Sequence, residues 1–388
     1  MYNRYTVDES SFTRVIDSVS LKSAHLCYPE QNTAIRPLFS NSAGYSSEWL
    51  LSHHYSWKNR DLKYNRSPRT LWYELETCTL SYPLYEIIVD NKIVWESFHS
   101  QEAFTRYLFN PSSGKYYFLT STKQSEVIRE KKVFCLPTRW YDTNYYHWVI
   151  ECLPRLFIFK DLKQIYPELK LALHQFDKGS FQCQWLEILG IKEDDCLILE
   201  KYVNYIFSSM IYVPILGANF VSGASISRLQ YTIKGFLQTY KPTALCETPK
   251  NVYIARKTGM PRSIANEQEL KSVLTKFDIT KIYSEDFSVA DQLYILANAN
   301  YIVADHGSGI SNIVGCMHSC SILEIMTPSG VNPCFFDLAQ ALGLRYGYTI
   351  ASYIPNFEKR QILYLKPIHL SDGLSMLFTD EHKELKKD

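Results

Sequence analysis

After residue 250 the chain settles into a regular alternation of short apolar strands and amphipathic helices, and few folds accommodate that pattern. NVYIAR leads through a loop to the helix NEQELKSVLTKF. Strand TKIYSE, helix SVADQLYILANA, strand YIVAD, helix SGISNIVGCM and strand SILEIM follow in turn. A run of βα units of these lengths is the signature of a doubly wound, nucleotide-binding sheet.

The first half carries a looser version of the same texture. YEIIVD and KIVWESF flank Asn91 as a hairpin, and KYYFLT and KVFCLPT continue as strands. A helix-length segment then runs from Asn144 to about Lys163. Strand ELKLALH comes next, then the amphipathic helix FQCQWLEILGI, ended by Gly190, and the strands CLILE and SSMIYVPI. This alternation implies a mostly parallel sheet covered on both faces. Residues 1–70 are polar and irregular and take no assignment. A helix, SISRLQYTIKGFLQTY, runs into the Pro- and Thr-containing stretch KPTALCETPK, which reads as a boundary.

At 388 residues the chain exceeds one ordinary core. The expected organisation is a domain over 1–235 with an irregular or β-rich beginning, a nucleotide-binding domain over 240–350, and a segment 351–388 that packs back on the first. With 41 basic and 40 acidic residues the net charge is +1, so the basic excess of a nucleic-acid binder is missing. No apolar run reaches the 18 residues of a membrane-spanning helix, and the first twenty residues lack a signal-peptide core. The chain as given therefore reads as cytoplasmic, and a membrane-borne acceptor would be met peripherally. Ten cysteines without a C-x-x-C pair suit reduced, buried thiols. Cys316-Met-His318-Ser-Cys320 lacks a fourth ligand, and Glu193-Asp-Asp195 reads as a solvated turn after Gly190, so no metal centre is expected.

Three segments carry chemistry. In YIVADHGSGISN, a strand delivers His306-Gly307-Ser308-Gly309 into a helix. Two glycines let the backbone approach a ligand, and the first-turn N–H groups with the helix dipole make an anion site suited to a diphosphate. His306 adds a donor, and Ser308 or Asn312 could reach phosphate or ribose; an unliganded tight turn would look the same. The segment is neither G-x-G-x-x-G nor a P-loop, so neither a nicotinamide cofactor nor ATP hydrolysis is indicated. In NVYIARKTGMPR, Arg256 and Lys257 fall at the carboxyl end of a strand, where open α/β sheets place ligands, and Arg262 follows on the loop. A solvated surface is the better account of Lys257. In DTNYYHWVIECLPRLF, His147, Glu151 and Arg155 recur at helical spacing and share one face, while Pro154 should kink the helix near Ile150. A His–carboxylate pair is the hardware of a general base, and it is also an ordinary surface pair.

Together these segments resemble glycosyltransferase family 61. The family's Asn-x-x-His-Trp…Glu-x-Leu-Pro-Arg pattern is present as Asn144, His147, Trp148, Glu151, Leu153, Pro154 and Arg155. Its strand ending Arg-Lys, with a later Arg and an Asn-Glu pair, is present as Arg256, Lys257, Arg262, Asn266 and Glu267. The His-Gly-Ala/Ser-Gly turn runs from His306 to Asn312, with Ser308 where Ala is frequent, and Glu324 lies on the next apolar strand. Order and spacing match across roughly 135–330. Residues 1–130 show no likeness.

The resemblance implies an α/β protein of GT-B architecture, two Rossmann-like domains facing across a cleft with the donor in the C-terminal one. It implies an inverting transferase without an obligatory metal or cofactor, taking a UDP-sugar or other nucleotide sugar to a glycan acceptor. Surface polysaccharide is the acceptor that fits a cytoplasmic bacterial member. Donor binding then falls to Arg256, Lys257, Arg262, His306, Gly307, Ser308, Gly309, Asn312 and Glu324. The acceptor side falls to Asn144, Trp148 and Arg155. Glu151 is the preferred base and His147 the alternative. A sugar-nucleotide epimerase or hydrolase, or a non-catalytic glycan-binding subunit, would use the same fold; a requirement for a second sugar separates the first from a transferase, and the presence of Arg256 and Glu151 counts against the second.

Overall fold

A computed structural model describes residues 2–7, 12–13, 21–28, 31–34, 39–40, 64–67, 70–94, 97, 109–110, 115–129, 132–215, 221, 223–242, 247–317, 320–328, 332–355 and 361–379. The chain divides into two compact units, one of Met1–Gln31 with Ser67–Ser225, the other of Asn32–Arg66 with Ile226–Asp388.

The first unit is built on a mixed sheet. Its labelled strands are β1 (Thr70–Ser81), β2 (Glu86–Val89), β3 (Lys92–Val94), β4 (Glu126–Ile128), β5 (Val133–Cys135), β6 (Lys170–His174), β7 (Cys196–Leu199) and β8 (Tyr205–Tyr212). The order is β7-β6-β5-β8-β1-β2-β3, parallel from β7 to β8 and antiparallel from β8 to β3, with β4 also parallel to β8. The hairpin around Asn91 forms as expected, because Asp90 and Asn91 both accept the positive φ of its turn. Two helices follow the parallel strands, α1 (Leu153–Ile165) and α2 (Phe181–Ile188). α1 buries Leu153, Leu156, Phe157, Phe159 and Leu162, with Phe159 edge-on to Phe134 of β5 at 5.7 Å.

The kink expected near Ile150 is a single π turn over Trp148–Cys152, between a short helical turn at Tyr145–His147 and α1. Pro154 occupies the first turn of α1, where its missing N–H costs little. The wider turn rotates α1 relative to the turn before it, so Glu151 meets His147 whereas Arg155 leaves their face.

The second unit is a parallel doubly wound sheet. Its strands are β9 (Asn251–Ala255), β10 (Thr280–Tyr283), β11 (Tyr301–Asp305), β12 (Ser321–Met326) and β13 (Arg345–Ile350). The order is β10-β9-β11-β12-β13, all parallel, with Phe39–Ser40 added beyond β13. β11 and β12 are buried at every position, as strands covered on both faces must be. Helices α3 (Gly223–Leu237), α4 (Glu267–Lys276), α5 (Val289–Ala297), α6 (Cys334–Ala341) and α7 (Pro367–Thr379) flank them. The segment expected to return to the first domain lies in this unit instead. Leu365, Leu370, Leu374 and Leu377 join Tyr253, Val303, Leu323, Leu270 and Leu274 in one core, which takes their apolar surface out of water.

The expected helix after YIVAD is a 3₁₀ helix, Ser308–Gly315. Cys78, Cys135, Cys152, Cys183, Cys196, Cys316, Cys320 and Cys334 are free thiols. His318 and the tail 381–388 lie outside the described residues, as does part of the boundary stretch 241–250. No helix of the described residues is long and apolar enough to cross a membrane.

Candidate functional site

The strand order of the second unit reverses between β9 and β11, the first and third strands of its parallel run. Such a switch point opens a crevice at the carboxyl ends of the strands. β9 ends into Arg256 and β11 ends into His306, so the two motifs read separately in the sequence are brought together there. Ile254 pairs with Ala304, which sets Arg256 beside His306. The approach is close enough that a Cβ built on Gly307 would collide with Arg256 Nη1.

Polar groups under the crevice fix this arrangement. Asp305 is buried and accepts from the Tyr253 hydroxyl at 2.7 Å and from the Arg256 backbone N–H at 2.9 Å. Burial pushes its carboxyl up to about 7, against the pull of those two donors. His306 Nδ1 pairs with Glu324 Oε1, and the Tyr346 hydroxyl donates to Glu324 Oε2 at 2.5 Å. Nδ1 is thereby engaged, and Nε2 is the ring nitrogen left for a ligand. Glu324 has no exposed surface, and its carboxylate is held between His306 and Tyr346.

Two guanidiniums stand over this floor. Arg256 and Arg262 form no ion pair among the described residues, and each has a buried Nε without a hydrogen bond there. Burial lowers the pKa of Arg262, and the neighbouring charge of Arg256 lowers it further. Arg262 also holds a left-handed backbone, φ 69°, a conformation that costs of order 1 kcal/mol and clusters at functional sites. Two like charges held close, half-buried and in no ion pair among the described residues, are chemically suited to an anion.

Other predicted donor residues fall elsewhere. Lys257 is exposed and pairs with Asp286 at 2.6 Å, an ordinary surface ion pair. Asn312 is buried and donates to Gln292 Oε1 at 2.6 Å, which braces the loop after β10. Ser308 and Gly309 open the 3₁₀ helix at the crevice.

In the first unit His147 Nδ1 lies 2.9 Å from Glu151 Oε1. The Glu151 side chain has no exposed surface, whereas that of His147 is 13% exposed. The Trp140 ring sits 5.1 Å from the imidazole, and Tyr146 meets it edge-on at 5.5 Å. The three residues expected on the acceptor side have internal partners. Asn144 caps the helical turn by accepting from the Tyr146 N–H, and Trp148 packs against Tyr141, Phe176 and Phe181. Arg155 donates to the carbonyls of Leu136 and Cys135 at 2.7 and 2.6 Å, bracing the end of β5.

The sequence reading missed Asp305 and Tyr346. Asp305 had a signal, a lone carboxylate ending an all-apolar strand. Tyr346 had none, since its partner Glu324 comes from a neighbouring strand 22 residues away.

A doubly wound unit with an arginine-lined crevice at its switch point is the class that fold and geometry define. Residues 145–323 match the family model described as Glycosyltransferase 61, a stretch that holds both arginines and all of the His147–Glu151 pair. A similar protein is the EGF domain-specific O-linked N-acetylglucosamine transferase of Drosophila melanogaster, 24% identical over 196 residues. Those residues are 49% of this chain and 35% of the relative, so the chain spans about a third of that protein's length.

Proposed function

We propose that this protein is an inverting, metal-independent glycosyltransferase of GT-B type that moves a sugar from a UDP-sugar to a glycan acceptor, in the making of a surface polysaccharide. The observation that carries the reading is the Arg256 guanidinium against Gly307 at the switch point, with the charge of Arg262 close enough to be felt by it. A nucleotide diphosphate is the anion that suits a site built from two arginines, a histidine and the backbone N–H groups of a first helical turn. The name of the Drosophila relative makes N-acetylglucosamine the first donor sugar to test.

Inverting transfer needs one base and a sink for negative charge. The acceptor hydroxyl gives its proton to the base while its oxygen attacks the anomeric carbon opposite the leaving group. The bond from that carbon to the diphosphate breaks, and its electron pair stays with the diphosphate oxygen. Arg256, Arg262, His306 and the N–H groups of 307–309 take up the developing charge, which leaves no step that requires a cation. We assign the base to His147 rather than to Glu151, the residue favoured from the sequence. A fully buried carboxylate cannot meet an acceptor hydroxyl, whereas it can hold Nδ1 and direct Nε2 outward.

Thermal stabilisation across UDP, GDP, dTDP and CMP tests the donor side. A ligand at about 100 times its dissociation constant stabilises by roughly 2.7 kcal/mol. UDP is expected to give the largest shift, and the absence of a shift with every nucleotide would refute the reading.

A further inference from the structure

The row of residues at the carboxyl edge of the second unit has a third member. Ala255 pairs with Tyr283, so Ser284 leaves β10 alongside Arg256, as His306 leaves β11 on the other side. Each glycine of the His-Gly-Ser-Gly turn makes room for one of these neighbours. Gly307 faces Arg256, and a Cβ on Gly309 would lie 2.9 Å from Ser284 Oγ. Gly309 has no positive φ to require glycine, so the approach of Ser284 is what excludes a side chain there.

The loop that carries Ser284 is firmly held. Gln292 Nε2 donates to the carbonyls of Ser284 and Phe287 at 2.8 and 3.0 Å, and Asn312 of the 3₁₀ helix holds the same Gln292 by its Oε1. The Ser284 hydroxyl itself makes no hydrogen bond among the described residues, and the residue is half-buried. A hydroxyl presented by a braced loop against the first turn of that helix, in line with Arg256, is an anion donor in waiting.

We propose that Ser284 belongs to the donor site and that its hydroxyl donates to a phosphate oxygen of the nucleotide held by Arg256 and the 307–309 turn. The inference rests on the donor-site reading above and adds a residue that no motif marked. Calorimetry on the full chain, with UDP and uridine as probes, tests it. Ser284→Ala is expected to weaken UDP about tenfold, the loss of one hydrogen bond to a charged group, and to leave uridine unchanged. Gly309→Ala, which drives a methyl into the hydroxyl, should weaken UDP to a similar degree, and because both changes remove the same contact the double variant should be no weaker than either single one. UDP affinity of Ser284→Ala within twofold of the parent would overturn the proposal, as would equal losses for UDP and uridine, which would move the contact off the phosphate. A parent protein blind to UDP would instead overturn the reading on which the proposal rests.

Discussion

Gly307→Ala isolates the close approach on which the donor site depends. The backbone there is extended, φ 176°, so alanine is accepted without strain. The new methyl meets the end of a flexible side chain, Arg256 Nη1, and its other neighbours, Arg256 Cζ and Asp305 O, stand at ordinary distances of 3.5 and 3.6 Å. The guanidinium must swing away, while the backbone keeps its conformation. The affinity lost is what Arg256 contributes to a bound diphosphate. A hydrogen bond to a charged group is worth about 1.5–3 kcal/mol, so UDP should bind roughly 10- to 150-fold more weakly. Arg256→Ala should show the same loss, and because both changes remove one contact, the double variant should be no worse than either single one. Calorimetric titration with UDP, beside thermal melts of all three variants, makes the measurement. A Gly307→Ala protein that melts like the parent and binds UDP like the parent would refute the reasoning. So would a double variant whose losses simply add.

His147→Ala should abolish transfer while UDP affinity is retained, and Glu151→Gln should lose about 10²–10⁴-fold in rate through a misdirected imidazole; a Glu151→Gln enzyme within a few-fold of the parent, in side-by-side rate assays, would show that the carboxylate is idle. Turnover should survive exhaustive EDTA treatment, and activity that is lost on chelation and restored by Mn²⁺ or Mg²⁺ would overturn the metal-free mechanism. Burial pushes the carboxyl of Glu86 from the usual 4.5 up to about 8, so the native protein keeps a proton there that the unfolded chain releases. Stability should therefore fall as pH rises between those values, by up to about 1.4 kcal/mol per pH unit, and Glu86→Gln should flatten the curve. Urea midpoints at about pH 5.5 and 8.5 decide this, and parallel curves for the two proteins would show that Glu86 is already ionised.

Sequence alone determined the elements that local periodicity encodes. β9 to β12 and the helices between them are legible because a strand repeats every second residue and a helix every third or fourth, and both repeats survive in one dimension. The motifs at Arg256 and His306 are legible for the same reason, since each sits at the end of an apolar strand. Sequence did not determine which strands are neighbours. Only the order β10-β9-β11 sets Ser284, Arg256 and His306 in a row, and Tyr253, Asp305, Glu324 and Tyr346 find one another across strands far apart in the chain. The π turn also lay beyond it: helical spacing put His147, Glu151 and Arg155 on one face, and the extra residue in the turn sent Arg155 to the carbonyls ending β5. Burial separates the two members of the His147–Glu151 pair in the same way. Residue spacing allows either to act, and only the packing around Glu151, which leaves it no surface, favours His147. Pairing, burial and close approach are properties of chain segments meeting in space, and no pattern within one segment contains them.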